Sequence, residues 1–307
     1  MPEAGALARF RGALIGSAVG DAIGELAGVH NDRQSLLDWL DEGDMLRYTD
    51  DTAMAIGLAE AMSSASGVDQ QVIGETFKRN YGKEPWRDYS SSTPAVFATA
   101  RRHEISFAEA AQRLHGGEGS FGNGAAMRIA PLGVLYRHSA KLREAAEASA
   151  RVTHAHPIGI DGAAIMAWMV AQAAKANGKF PFADIVMGMI GFAQTKEMRL
   201  KLAQVVELIA KKAPPAEAAV ALKLSQKVHE SLPFSIYAFL RHPNSFQECL
   251  FTAILNGGDE DTLGAMAGAM SGAYLGIDAI PLDWQERIEN RDHLEALAER
   301  LARLPVD

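Results

Sequence analysis

Two acidic clusters hold the residues best suited to chemistry. The first is Tyr48-Thr49-Asp50-Asp51-Thr52, ahead of an alanine-rich helical run from Ala53 to Met62. The second is Gly257-Gly258-Asp259-Glu260-Asp261-Thr262, ahead of another helical run from Leu263. Each puts at least two aspartates and a threonine at the start of a predicted helix. Ordinary capping explains some of this: a side-chain oxygen caps the helix, and acids in a first turn gain about 0.3–1 kcal/mol. Capping uses one oxygen, however, not several carboxylates beside apolar sequence. Buried carboxylates must be neutralised or paired. Neither cluster contains Lys or Arg, and only Arg47 flanks the first. Carboxylate and hydroxyl oxygens suit Mg2+ or Mn2+ better than Zn2+. Helix caps and a hard-cation site both stand as readings at this point.

A glycine-rich segment runs from Gly116 to Gly124 and continues into Ala125-Ala126-Met127-Arg128. Gly117, Gly119 and Gly122 match G-x-G-x-x-G formally, but Ser106 to His115 reads as helix, so the strand that motif needs is missing. No Gly-Lys-Ser/Thr follows, which excludes a Walker loop. Glycines still let backbone N–H groups approach a phosphate, and a helix start after them would add a favourable dipole. A plain surface loop is the other reading. Thr153-His154-Ala155-His156-Pro157 sits at a predicted helix end. Histidines two apart do not share a helix face, so a metal pair is not expected there; a ligand contact and an ordinary cap compete. Phe121 and Tyr48 read as packing aromatics, and Cys249 as a core residue.

The elements that must position these residues are helical. Ser106 with Glu109 forms a capping box before Ala110–Leu114. Leu142 to Val152, Ala163 to Ala174 and Met198 to Ile209 carry helical periodicity, and Ala216–Val228 follows Pro214-Pro215 as another amphipathic stretch. No Val/Ile-rich run alternates with period two, so the fold class is all-α. No linker or composition shift divides the chain, which points to a single domain over residues 1–307. Glycines recur every four residues at Gly12, Gly16, Gly20, Gly24 and Gly28, and again at Gly264, Gly268, Gly272 and Gly276. Each interior glycine costs a helix about 1 kcal/mol against alanine, so the stripes predict deep helices whose backbones approach something closely, each other being the natural partner.

Composition bounds the function. The chain has 307 residues, 48% hydrophobic and 22% charged, with 30 Lys+Arg against 38 Asp+Glu and a formal charge of −8. That balance argues against a general nucleic-acid or anionic-membrane binder. The single cysteine, Cys249, excludes an internal disulfide and points to a reducing compartment, hence the cytoplasm. The most apolar stretches, 162–174 and 263–277, are shorter than the ~18–20 residues of a membrane span. Arg9 and Arg11 before the apolar Gly12–Gly20 faintly suggest a leader, but Glu3, Asp21 and the glycines favour a buried first helix.

Taken in order, these segments resemble the ADP-ribosylglycohydrolase family, also called the dinitrogenase-reductase-activating glycohydrolase type. The resemblance is carried by Arg11-Gly12-Ala13-Leu14-Ile15-Gly16 through Gly20-Asp21-Ala22-Ile23-Gly24, and by Tyr48-Thr49-Asp50-Asp51-Thr52-Ala53-Met54. It continues in Ser120-Phe121-Gly122-Asn123-Gly124-Ala125-Ala126-Met127-Arg128-Ile129-Ala130-Pro131 and Thr153-His154. Gly257-Gly258-Asp259-Glu260-Asp261-Thr262, running into Gly268-Ala269-Met270-Ser271-Gly272-Ala273, completes it. The likeness covers roughly residues 10–285. It implies a compact all-α domain with two adjacent Mg2+ or Mn2+ ions, and Thr49, Asp50, Asp51, Asp259, Asp261 and Thr262 as their ligands. It implies a diphosphate cradle formed by Ser120, Phe121, Gly122, Asn123 and Gly124, with Asn123 and His154 near the ADP-ribose. The implied substrate is an ADP-ribosylated protein or small ADP-ribosyl conjugate, and the product ADP-ribose. One position departs from the family: a glutamate common four residues after the Gly-Asp-Ala-Leu-Gly block is Gly28 here, and the nearest acid is Glu25.

The implied chemistry is cleavage of an anomeric C–N or C–O bond through an oxocarbenium-like transition state. Asp51, Asp261 and Glu25 are the candidate bases toward water. Arginine is the first choice of modified residue and serine the second, with selection expected in loops near Glu25–Asp32 and Tyr81–Thr93. Two rivals use the same residues: a metal-dependent phosphohydrolase of nucleotide diphosphates, and a non-catalytic, crystallin-like ADP-ribose binder. Gly28 favours the binder; the retention of so many acids opposes it.

Overall fold

The computed structural model describes residues 4–176, 178 and 180–306. Among these the chain forms eighteen α-helices and two short 3-10 turns, with no strand. Strand-like pairing is limited to isolated bridges, Leu46 with Ile288 and Gly122 with Lys227. The all-α expectation holds.

The glycine stripes explain the centre. Helices Ala4–Ala27 and Glu260–Leu275 run antiparallel, with Gly12 against Gly272, Gly16 against Gly268, Gly20 against Gly264 and Gly24 against Glu260. A Cβ at Gly16 would lie 2.5 Å from the Gly268 carbonyl oxygen and 3.1 Å from the Phe246 ring. At Gly12, Gly20, Gly264, Gly268 and Gly272 it would overlap the facing backbone outright. Close dispersion contact along two backbones offsets the helix-propensity cost of glycine. Gly28 lies past the end of the first helix and takes no part, whereas Gly276, just past the end of the second, still crowds Gly12: a Cβ on Gly12 would lie 2.8 Å from the Gly276 carbonyl carbon. The first helix is buried at every residue from Gly12 to Gly24, so it belongs to the core. Its other faces, through Ile15, Val19 and Ile23, join one apolar cluster that extends through most of the molecule.

Other helices wrap this pair. Pro157–Lys175 is 19 residues long with a mean hydropathy of 1.2, enough to cross a membrane by length and composition, but 78% of that stretch is buried inside the protein. The helix is therefore longer than its most apolar part suggested. The capping box of Ser106 and Glu109 forms as expected, starting Phe107–Gln112. Leu142–Arg151 and Lys196–Ala210 match the predicted helices to within a few residues.

One expectation is corrected. The stretch 216–228 is not one helix: Pro215–Leu222 stops, and Val228–Arg241 begins anew. Lys223 turns the chain with φ +67°, and residues 224–227 cross the face of the functional site. Tertiary hydrogen bonds hold this crossing. Asp259 N donates to Leu224 O at 3.1 Å, Asn123 N to Gln226 O at 2.9 Å, and Val228 N to Phe121 O at 3.2 Å. Helical periodicity loses here because these carbonyls have partners outside their own segment.

Candidate active site

The two acidic clusters, about two hundred residues apart in sequence, meet at the end of the glycine-packed helix pair. Helix Asp50–Ala65 starts earlier than the alanine run suggests, so Asp50 and Asp51 lie in its first turn. Thr49 occupies the N-cap position but makes no side-chain cap bond. The cap comes from another helix instead. Asp21 Oδ1 accepts from Thr49 N at 3.0 Å and Thr49 Oγ1 at 2.8 Å. Its Oδ2 accepts from Thr52 N at 2.9 Å and Thr52 Oγ1 at 2.6 Å. A fully buried carboxylate thus satisfies the unpaired N–H groups of a helix start and anchors the first cluster to the core. Thr49 Oγ1 also lies 3.3 Å from Asp51 Oδ2. Behind this, Arg87 donates to the Tyr48 carbonyl at 2.9 Å and stacks 4.2 Å over the Tyr48 ring, so Tyr48 is a packing residue.

The second cluster begins helix Glu260–Leu275. Asn123 Nδ2 donates to Asp259 Oδ2 at 2.6 Å and to Ser231 Oγ at 3.2 Å, tying the glycine loop to this cluster. The Asp261 backbone packs against Gly24, three residues along the first helix from Asp21.

Crowding of like charge follows. Burial, then Asp21, Asp261 and Asp259, holds the Asp50 carboxyl well above the usual range. Burial, then Asp261, Asp21 and Asp50, does the same to Asp51. Burial, Asp259 and Asp21 push Asp261 up to about 7, and burial alone outweighs four hydrogen bonds to lift Asp21 to about 6. Arg128 feels Asp50 but bonds elsewhere. Asp51 Oδ1 is buried with no hydrogen-bond partner. Among the described residues no three His, Cys, Asp or Glu side chains form a closed cation site by themselves.

A cavity of about 730 Å3 opens over the clusters. Asp50, Asp259, Asp261 and Thr262 line one side; Ser120, Phe121, Gly122, Asn123, Gly124 and His154 line another. Thr49 and Asp51 lie beneath its floor, nearly inaccessible. The glycine loop is shaped by close neighbours: a Cβ on Gly119 would lie 2.7 Å from His156 N, and one on Gly124 3.0 Å from the His154 ring. The helix that follows, Gly124–Met127, is a single turn, so the expected dipole is small. Phe121 packs edge-on to His156 at 5.1 Å, and His156 caps Pro157–Lys175 through Ile158 N at 3.2 Å.

Glu25 sits at the rim. It is exposed and does not line the cavity, although burial of part of its side chain, with Asp88 and Glu260, raises its carboxyl. Of the two loops expected to face the leaving group, 81–93 contributes Asp88, Ser90, Ser92 and Thr93 to the lining, whereas 25–32 contributes none. Three parts of the site escaped the sequence reading: the Asp21 brace, Arg128 in the wall, and the 224–227 crossing. Asp21 and Arg128 lay inside recognised blocks, but nothing in their spacing marks a buried partner; Lys223-Leu224-Ser225 offered only a weak break signal.

The body is all-helical among the described residues, and aspartates from two distant clusters converge in it beside a glycine-rich loop. The profile of the ADP-ribosylglycohydrolase family matches residues 2–306. The chain is 32% identical to ADP-ribosylhydrolase ARH3 of Homo sapiens over 97% of its length and 94% of that protein. It is 28% identical to the ADP-ribosyl-[dinitrogen reductase] glycohydrolase of Rhodospirillum rubrum over 92% of its length and 90% of that protein. A solved structure, described as an ADP-ribosylglycohydrolase-related protein complex, superposes with TM-score 0.76 at 26% identity, covering 98% of this chain and 99% of that one. The chain belongs to the ADP-ribosylglycohydrolase family and is an enzyme of that class.

Proposed function

We propose that this chain hydrolyses the anomeric bond joining ADP-ribose to a modified side chain, arginine or serine, or to a small conjugate, releasing ADP-ribose. The observation that carries the reading is the convergence of both acidic clusters in one cavity with the glycine loop. The Ser120, Phe121 and Gly124 N–H groups, which make no hydrogen bond among the described residues, suit a diphosphate, whereas Gly122 N and Asn123 N are held by Ser120 Oγ and Gln226 O. The cavity volume lies within the range of small-molecule sites.

The donor chemistry fits divalent cations. Clustered carboxylates that raise one another's pKa gain from a cation, and the orphaned Asp51 Oδ1 is an oxygen in need of a partner. We assign Thr49, Asp50, Asp51, Asp259, Asp261 and Thr262 as ligands of two Mg2+ or Mn2+ ions. Such ions, when bound, supply charge stabilisation and a water of lowered pKa. The chain's own residues do the rest. The Ser120–Gly124 loop fixes the diphosphate, Phe121 and the 224–227 crossing wall off the cavity, and Asp51, Asp261 or Glu25 removes a proton from water. Asp88, Ser90, Ser92 and Thr93 face the leaving group. The reaction fits the cytoplasm, consistent with one buried, unpaired cysteine.

The test is release of free ADP-ribose from ADP-ribosyl-arginine, ADP-ribosyl-serine and O-acetyl-ADP-ribose, with metal and with chelator. Release that stops in chelator supports the reading. AMP as product overturns the bond assignment, and full activity in chelator overturns the metal assignment.

A further inference from the structure

We infer that Arg128 and Thr153 are positioning residues that fix one tautomer of His154, leaving the proton on Nε2, where it points into the cavity as a donor. This rests on the proposed reading for its ligand, the diphosphate of ADP-ribose, but not for its geometry.

Arg128 is fully buried and has only donors to offer. Its Nη1 donates to Gly124 O at 3.0 Å, and its Nη2 to Thr153 Oγ1 at 2.8 Å and Ser149 O at 3.4 Å. Phe77 lies under the guanidinium at 4.8 Å. Burial pushes Arg128 down to about 9, which leaves it cationic at neutral pH. Thr153 Oγ1 therefore accepts from Arg128, and its own hydroxyl proton needs an acceptor in a buried setting. His154 Nδ1 lies 2.8 Å away and is the acceptor in reach. The opposite tautomer would aim Nδ1–H at the same oxygen and orphan the hydroxyl proton. The doubly protonated ring is disfavoured as well: burial first, then the charges of Arg128 and His115, push His154 down to about 3. One neutral form remains, with Nε2 protonated.

Nε2 has no acceptor among the described residues. The ring lies across the cradle: Cβ atoms built on Gly122 and Gly124 would sit 3.5 Å and 3.3 Å from Nε2. Gly122 N and Asn123 N are already bonded to Ser120 Oγ and Gln226 O, so His154 adds a neutral donor at the stretch of the loop where the backbone offers none. Arg128 also holds the Gly124 carbonyl, so one guanidinium sets both the loop and the ring.

The experiment is long-range 1H–15N correlation spectroscopy of the ring nitrogens in the full-length protein, His154 being assigned by loss of its signals in His154→Gln. The expected spectrum has unprotonated Nδ1 and protonated Nε2. Thr153→Val removes the hydroxyl at nearly constant shape and is expected to shift His154 toward mixed tautomers. Thr153→Ser keeps the hydroxyl and restores the wild-type pattern. Calorimetric binding of ADP-ribose is expected to weaken about tenfold in Thr153→Val and to recover in Thr153→Ser. Mixed tautomers or protonated Nδ1 in the wild type, or an unchanged spectrum in Thr153→Val, overturns the inference whatever the affinity. A fixed tautomer without ADP-ribose binding supports the relay and overturns only the assigned ligand.

Discussion

Along their glycine-striped middle, helices Ala4–Ala27 and Glu260–Leu275 meet backbone to backbone with no charge between them; at their shared end, Asp21 and Asp261 lie among three further carboxylates. The first region has almost no freedom, because any added Cβ strikes main chain. The second is crowded with like charge and holds an oxygen without a partner. The contrast shows how repulsion is tolerated. A rigid backbone contact fixes where the acids stand, and an ordinary side-chain interface, able to slide or splay, would relax away from them.

The largest effect is expected in the rigid region. Gly268→Leu must displace the Gly16 backbone and should cost about 3 kcal/mol or more, read as loss of a cooperative urea transition. A stable, active variant would mean that the contact is not structural. At the acidic end the cost moves from folding to function. Asp50→Ala or Asp261→Ala should keep the helical circular dichroism while losing Mn2+ binding and turnover together. The expected loss exceeds the roughly 10–100-fold that removal of an outer partner of a metal ligand costs. Full turnover in either variant would separate the acids from the chemistry.

Asp21→Asn tests the joint between the two regions. An amide cannot accept all four hydrogen bonds from Thr49 and Thr52, so Mn2+ binding by calorimetry should weaken about 10–100-fold. Unchanged affinity would reduce Asp21 to a helix cap. A pH effect should follow from the raised carboxyls. Asp21 at about 6 and Asp261 at about 7 bind more protons folded than unfolded, so their contribution is present at low pH and is lost as pH rises through those values. Cations displace the same protons, so the Mn2+-induced rise in Tm should be larger near pH ~8 than near pH ~5. A rise independent of pH would show that metal and protons do not compete. The smallest effect is expected at Glu25, on the rim. Glu25→Gln should lower kcat less than about tenfold with metal affinity unchanged; a loss of about 10^2–10^4 would identify Glu25 as the base.

Much of this was legible in the residues. The stripes at Gly12–Gly24 and Gly264–Gly272 announced close backbone packing, because nothing else repays so many interior glycines. Asp50, Asp51, Asp259 and Asp261 exceed what capping needs, which sets a cation site beside ordinary caps as a reading without choosing between them. The reading failed where the deciding contact lies far along the chain. Residues 224–227 carry helical periodicity yet cross the cavity, since their carbonyls bond to Asn123 and Asp259. Asp21 stands in a recognised block with no local sign of a partner, and its role depends on a helix start 28 residues away.

Local composition by itself determined the all-helical class, the close pairing of two helices and the candidate acids, because propensity, periodicity and small-residue spacing act over a few turns of chain. Only the tertiary structure decided which carboxylate braces and which face the cavity, that Glu25 stays at the rim, and that a buried guanidinium and a hydroxyl orient His154. Those outcomes depend on desolvation and on hydrogen bonds between distant segments, which exist only once the chain has closed around them.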